Sequence, residues 1–320
     1  KAALFPLFTW LPKAHGVAQS TISALLSGLV VKGALYMFIR INNEMFSHAG
    51  YETGELFFWI GTITAVIGVL FALSQKDLKQ ILAYHTVSQV GIMMMGISAL
   101  SGLSYVGGFL HIFNHAFFKS LLFLGAGVVI NAYQTKKVYE IKRVFRTMPW
   151  TAILLIVGML SISGAPFFNG FVSKTLVKYD FKDDMIKMAL FTLINIGTVT
   201  SFIKFSTILF GPKQRSVLES NIRENVSMTI LALACVAIGV FYVPLAELFY
   251  QTDIRYVKIF AWRSFFDYAL YLVIGVVFYR YVIHKDYKPF RKIRDFSITF
   301  ENANFLFIIY LIVIAVVIIL

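Results

Sequence analysis

Apolar runs of about twenty residues, the length a helix needs to cross a bilayer, recur from one end of this chain to the other. Read on that rule, spanning helices are expected at 18–40, 56–74, 80–100, 104–132, 149–178, 185–210, 227–249, 268–284 and 304–320. Residues 1–17 form a tenth, partial run that carries Pro6 and Pro12, so its helix is expected to be broken. The run 149–178 is long and contains Ser163-Gly164-Ala165-Pro166, then Asn169-Gly170. Proline lacks a backbone donor and clashes with the preceding turn, which makes this a discontinuous helix. Such a break is tolerated at membrane depth only where protein buries it or a wet cavity adjoins it. The fold class that follows is all-α, a polytopic transmembrane helix bundle with discontinuous helices.

Composition narrows the function. Of 320 residues, 58% are hydrophobic and 14% charged, against about a quarter charged in soluble domains. That excludes an ordinary soluble enzyme and a disordered tail. The single cysteine, Cys235, excludes a disulfide framework, a Cys-rich zinc site and an iron–sulfur cluster. It reads as a small buried apolar residue, as the run Met93-Met94-Met95 reads as packing. Neither glycine-rich nucleotide-binding pattern occurs, so no cofactor and no catalytic chemistry are expected in this chain. Lys1 leads straight into an apolar run without a cleavage signal, and the chain reads as part of a longer membrane protein.

The net charge of +13 raises the question of nucleic acid, but membrane proteins collect Lys and Arg in their cytoplasmic loops. The loops test this. Glu44, Glu52 and Glu55 fall in one loop, Lys76, Asp77 and Lys79 in the next. The loop 133–148 holds Lys136, Lys137, Lys142, Arg143 and Arg146 against Glu140. Asp180, Asp183 and Asp184 follow with Lys182, then Lys213, Arg215 and Arg223 with Glu219 and Glu224. A late loop, 285–303, holds Lys285, Lys288, Arg291, Lys292 and Arg294. If each run crosses once, every basic loop lies on one side, which the positive-inside rule makes cytoplasmic. The expected location is the cell's inner (plasma) membrane, multi-pass, with lipid as its surroundings and no nucleic-acid partner. Residues 250–267, with Asp253, Arg255, Lys258 and Arg263 among apolar residues, read as an amphipathic connector at the interface.

Several ionisable groups fall inside the runs. Lys1 heads the first. Lys32 lies about 12 Å from the nearer end of its helix, and Lys119 about 20 Å from either end of its own, at 1.5 Å per residue. Lys174 follows the break. A lysine at a helix centre costs about 2.5–3.5 kcal/mol on insertion scales, so intramembrane charges mark ion and proton pathways. A lysine paired for packing needs a buried acid, and this chain has almost none in its runs. His111, His115 and Lys119 stand at i, i+4 and i+8 and share a helix face. Zinc would need a further acidic or Cys ligand, and Lys119 on the same face would repel it. A proton relay fits better, because histidine titrates near neutrality. His85 reads equally as relay member or hydrogen-bonded helix contact. Lys204 reads as snorkelling toward the cytoplasmic end of its helix, and His15 as interfacial; Lys79 is a further pathway or support candidate.

These residues carry a family resemblance. Lys1, Pro6 and Trp10-Leu11-Pro12 resemble the K-x-x-x-x-P-x-x-x-W-L-P signature of the antiporter-like subunits shared by respiratory complex I, membrane-bound hydrogenases and Mrp cation/proton antiporters. Ser23-Ala24 with Lys32, Asp77-Leu78-Lys79 before Leu82-Ala83-Tyr84, Val87-Ser88-Gln89, His115 through Lys119 to Gly125, and Gly164-Ala165-Pro166 before Gly170 and Lys174 resemble later motifs in order. The resemblance covers about residues 1–210. It implies a fourteen-helix fold of two inverted repeats with a chain of buried charges, a general transporter design, of which this chain holds the C-terminal part. It places Lys1 and Lys32 in the first half-channel, Lys119 at the central connection and Lys174 at the exit. The family often has further prolines between Pro12 and Ser23, which are missing here. Two helices after residue 250 exceed the core, as in longer members. Residues 1–249 are thus expected to be the proton-translocating domain and 250–320 a C-terminal extension.

The function expected is proton translocation, in an Mrp-type subunit coupled to Na+ or K+, within a multisubunit membrane complex. The alternative is the proton-pumping subunit of a complex I-like or hydrogenase-like redox complex, whose redox chemistry sits in other subunits. A non-transporting scaffold is the third reading, and the cost of several buried lysines argues against it.

Overall fold

The computed structural model describes residues 1–45, 50–212, 221–250, 254, 257–296 and 298–319. The loop charges Lys213, Arg215, Glu219, Asp253 and Arg255 lie outside the described residues, as do the side chains of Glu44 and Glu52. After an irregular start come α1 (Trp10–Val17) and α2 (Ser20–Leu25), a π-helical turn (Leu26–Val30) and α3 (Val31–Met45). Next are α4 (Gly50–Ser74), α5 (Leu78–Ile97), α6 (Gly102–Tyr133) and the short α7 (Val144–Thr147). The broken pair is α8 (Pro149–Ser163) and α9 (Asn169–Val177), followed by α10 (Met185–Ser206), α11 (Ile222–Val240) and α12 (Tyr242–Tyr250). The chain ends with α13 (Trp262–Phe278), a second π-helical turn (Tyr279–Ile283), α14 (Lys288–Asp295) and α15 (Phe300–Ile319).

Six helical stretches among the described residues are long and apolar enough to cross a bilayer: Ser20–Ile41, Thr53–Ser74, Gly102–Tyr133, Met185–Ser206, Ile222–Val240 and Trp262–Ile283. Helix α5 is not among them, although nearly every one of its residues is buried. The reason is its position. A helix surrounded by other helices can carry Lys79, His85, Ser88 and Gln89 without exposing them to lipid, and Gly91 lets α4 lie directly against it.

The loops gather on two faces. On one, the α4–α5 turn pairs with the loop after α6, through Leu78 N–H to Lys136 O at 2.8 Å and Val138 N–H to Lys76 O at 3.0 Å. Arg143 and Val144 donate to Phe210 and Ile208, and Lys76 meets Asp286 at 2.6 Å. Partial burial works to raise the Asp286 carboxyl. The Lys76 hydrogen bond and the Arg294 charge outweigh that effect and hold the group below its ordinary 3.8. On the other face, Lys187 pairs with Glu55, and Asp180 accepts from Ser104 N–H at 2.8 Å. The basic loops 76–79, 133–148 and 284–294 therefore share one face, and the acidic turn 180–184 belongs to the other.

Four expectations are corrected. The run 227–249 is not one helix: Phe241, at φ −96° and ψ 36°, ends α11 and α12 begins after it. The connector after 250 is not only a surface element: its described residues Ile254, Val257 and Ile259 pack with Leu103, Leu110, Phe171 and Val172 inside the protein. His15 is fully buried and stacked on Phe123 at 4.6 Å, because α1 folds in against α5 and α6. Lys204 does not snorkel. Its amine donates to the carbonyls of Ala72, Leu73 and Gln75 at 2.9, 2.8 and 2.7 Å. The last carbonyls of a helix have no intrahelical partner, and a cation there also opposes the negative end of the dipole.

Candidate proton pathway

The site forms where α2–α3, α5, α6 and α9 meet. The π-helical turn, a feature that often marks functional positions, leaves the Ser27 carbonyl facing the Lys32 amine, which donates to it. The same amine lies 2.6 Å from His115 Nδ1 on α6. Ser27 Oγ is 2.8 Å from Thr86 Oγ1, so α5 joins the junction. Lys32 is 8% exposed and Lys119 0%.

One turn along α6 toward its start, His111 bridges two helices. Its Nε2 lies 3.0 Å from Gln89 Oε1 and its Nδ1 2.8 Å from Ser173 Oγ. With Gln89 Oε1 as acceptor, the network assigns the neutral ring its proton on Nε2 and leaves Nδ1 to accept from the hydroxyl. His111 and His115 thus turn to different partners. Asn114 and Asn169 exchange bonds to each other's backbone carbonyls, at 2.8 and 3.3 Å, and lock α6 to the break.

At the break, α8 ends on Gly164 in the left-handed region, φ +77°. A Cβ there would come within 3.3 Å of Lys174 Cδ. Lys174, 5% exposed, donates to Ile162 O at 2.7 Å, one of the carbonyls the break leaves unpaired. Phe171 and Ser173 flank it on α9.

Lys119 Nζ, His115 Nε2, Gln89 Nε2 and both ring nitrogens of His85 and His15 are buried without a hydrogen-bond partner among the described residues. The Lys119 amine faces the Phe123 ring, 5.5 Å from its centre. Buried polar groups in proteins are satisfied by protein or by ordered water. The atoms of these five residues, on α1, α5 and α6, lack a protein partner here among the described residues.

The structure brings Lys32 onto His115 and His111 onto Ser173, with Lys119 on the same α6 face and Lys174 at the end. His85 sits one turn from Gln89 on α5, tilted against Phe202 at 4.7 Å. Lys79 is placed elsewhere, donating to Ala18 O at 2.9 Å at the end of α1. Lys1 is exposed at the chain start. Pro12 lies in the first turn of α1, where proline is tolerated, and Pro6 and Pro166 lie outside helices. Gln89, Ser173, Asn114 and Asn169 were not legible as site residues. The available signal was spacing: Gln89 is four residues from His85, and Asn114 adjoins His115.

Fold and row define a class of protein, a helical membrane subunit organised around buried basic side chains. Residues 1–204 match the family described as "NADH:quinone oxidoreductase/Mrp antiporter, TM", and the chain belongs to that family. It is 34% identical over 269 residues to Hydrogenase-4 component B of Escherichia coli, covering 75% of this chain and 40% of that protein. It is 33% identical over 221 residues to a Na(+)/H(+) antiporter subunit of Alkalihalophilus pseudofirmus, covering 68% and 45%. The chain spans under half the length of these relatives. Its fold is that of a chain of the Mrp complex from a Dietzia species, at TM-score 0.72 and 20% identity over 92% of this chain and 59% of that one. It also matches a chain of respiratory complex I from Thermus thermophilus, at TM-score 0.70 and 21% identity over 86% and 56%. The protein is a multi-pass, antiporter-like membrane subunit, and its structural neighbours are chains of multisubunit membrane complexes.

Proposed function

We propose that this subunit moves protons through the row formed by Lys32, His111, His115 and Lys119 and on to Lys174, as part of an Mrp-type cation/proton antiporter exchanging protons for Na+ or K+. The observation that carries the reading is Lys119, fully buried with no hydrogen-bond partner and no acid beside it among the described residues. Burial of such a group is costly, and packing offers no return for it. His85 and Gln89 extend the row on α5. Lys79 and Lys204 support helix ends. Residues 1–249 carry the pathway and 250–320 form the extension; the basic-loop face is cytoplasmic, and other membrane subunits complete the complex. The second reading, a proton-pumping subunit of a redox-driven complex, is favoured by the likeness to Hydrogenase-4 component B.

In the assembled complex, Lys119→Ala is expected to abolish proton movement into inverted vesicles, read by a pH-sensitive dye, while the complex still assembles. Lys119→Arg is expected to fail as well, because guanidinium does not release its proton in proteins. Near-normal flux in the Arg variant removes Lys119 from the path. Flux driven by an added Na+ or K+ gradient identifies the antiporter; flux that needs an electron donor identifies the pump.

A further inference from the structure

Beyond Lys174 lies a small cavity of about 40 Å³, bounded by the break and α9, α10 and α13. Its lining includes Lys174, Ser163, Asn195, Lys178, Tyr268 and Asp267. At about 10–15 Å³ of such volume per water, it has room for about three or four waters, and its lining offers them polar partners. An ammonium has three donors, and Lys174 spends one on Ile162 O, which leaves two to face this space.

The far wall belongs to α13. Tyr268 Oη lies 3.0 Å from Ser163 Oγ and ties α13 to the last turn of α8. Asp267 stands 3.8 Å from Lys178 Nζ, a loose pair whose side chains are 32% and 24% exposed. Lys178 follows α9 and precedes the acidic turn 180–184, so this end of the cavity lies at the acidic-loop face. The cavity therefore spans from a fully enclosed amine to a carboxylate in reach of solvent. Helix α13 lies outside residues 1–204, the part matched by the family.

We propose that Asp267 is the outlet group of this subunit, taking protons from Lys174 through the cavity and releasing them at the acidic-loop face; the inference rests on the proton-pathway reading. The Lys174 ammonium gives a proton to a cavity water, and that water passes one to the Asp267 carboxylate. The carboxylic acid formed then loses its proton to the outer solution. Lys174 is left as the neutral amine, ready for the next proton from the row, and Asp267 returns to carboxylate. The Lys178 ammonium keeps its charge throughout and positions Asp267.

The test uses the complete complex in vesicles, with proton release at the acidic-loop face as the readout and Lys119→Ala as the reference. Asp267→Asn is expected to slow release on the order of a hundredfold, the scale of losing one positioned proton-transfer group. Asp267→Glu is expected to keep most of the rate. Formate added at the acidic-loop face is expected to restore flux to Asp267→Asn, since a small carboxylate in the cavity mouth replaces the missing acceptor. Three results overturn the outlet. In the first, Asp267→Asn transports like the parent while Lys119→Ala is dead. In the second, Asp267→Asn and Asp267→Glu are equally slow, formate has no effect and the complex is at normal levels, which makes the residue structural. In the third, Lys119→Ala itself transports normally, which removes the pathway and the outlet together.

Discussion

Lys119 and Lys204 are the same residue type, both buried, with opposite surroundings. The Lys204 amine spends its three donors on three carbonyls at the end of α4, so it is bound as a cap. Lys119 spends none on protein among the described residues. The two side chains should answer differently to removal of charge. Lys204→Met leaves those carbonyls unpaired, and the expected loss of stability is about 1–3 kcal/mol, read as a lower thermal midpoint of the purified complex with proton flux retained. A Lys204→Met complex that is stable but silent would place this lysine in the pathway instead.

Two elements are deformed to serve the row. A regular helix advances about 100° per residue, so the extra residue of the Leu26–Val30 turn rotates everything after it and brings Lys32 onto His115. The break between α8 and α9 presents the Ile162 carbonyl to Lys174. That break depends on close contact, because Gly170 lies so near Ser161 O that an added Cβ would collide with it. Gly170→Ala is expected to push α9 off α8, costing about 1–3 kcal/mol by overpacking, and to reduce flux, since Ser173 and Lys174 move with α9. Calorimetry of the complex beside vesicle flux measures both. Unchanged values would show that this contact does not position Lys174.

At the scale of the whole molecule, hydrogen bonds and ion pairs sort the loops into a basic face and an acidic face. The basic face is interlocked: Lys76, Arg291 and Arg294 all reach Asp286, and Arg294 also donates to Ser74 O at 3.0 Å. This joins the C-terminal extension to the α4–α5 turn. Single cysteines replacing Arg146 and Lys288, both exposed, are expected to react with an impermeant thiol reagent from the cytoplasmic side. A cysteine replacing Asp183 is expected to react from the opposite side, with the buried Cys235 silent. Reaction of all three from one side contradicts the arrangement of spans.

Hydropathy, proline placement and charge alternation are local properties of the chain. They determined that it forms membrane helices, that one helix breaks at Gly164-Ala165-Pro166, and that Lys32, His111, His115, Lys119 and Lys174 lie inside. Partners are not local. Lys32 and His115 are 83 residues apart, and Lys204 and Ala72 132. Whether a lysine snorkels, caps a helix or stands unpaired depends on which helix lies beside it. Only packing decided that His15 is buried, that Lys204 closes α4, and that Gln89 and Ser173 hold His111. The α11 break at Phe241 and the turning of Ile254, Val257 and Ile259 into the protein were settled the same way. The apolar side chains of Ile254, Val257 and Ile259 suit lipid and protein interior equally, and the fold supplied the interior.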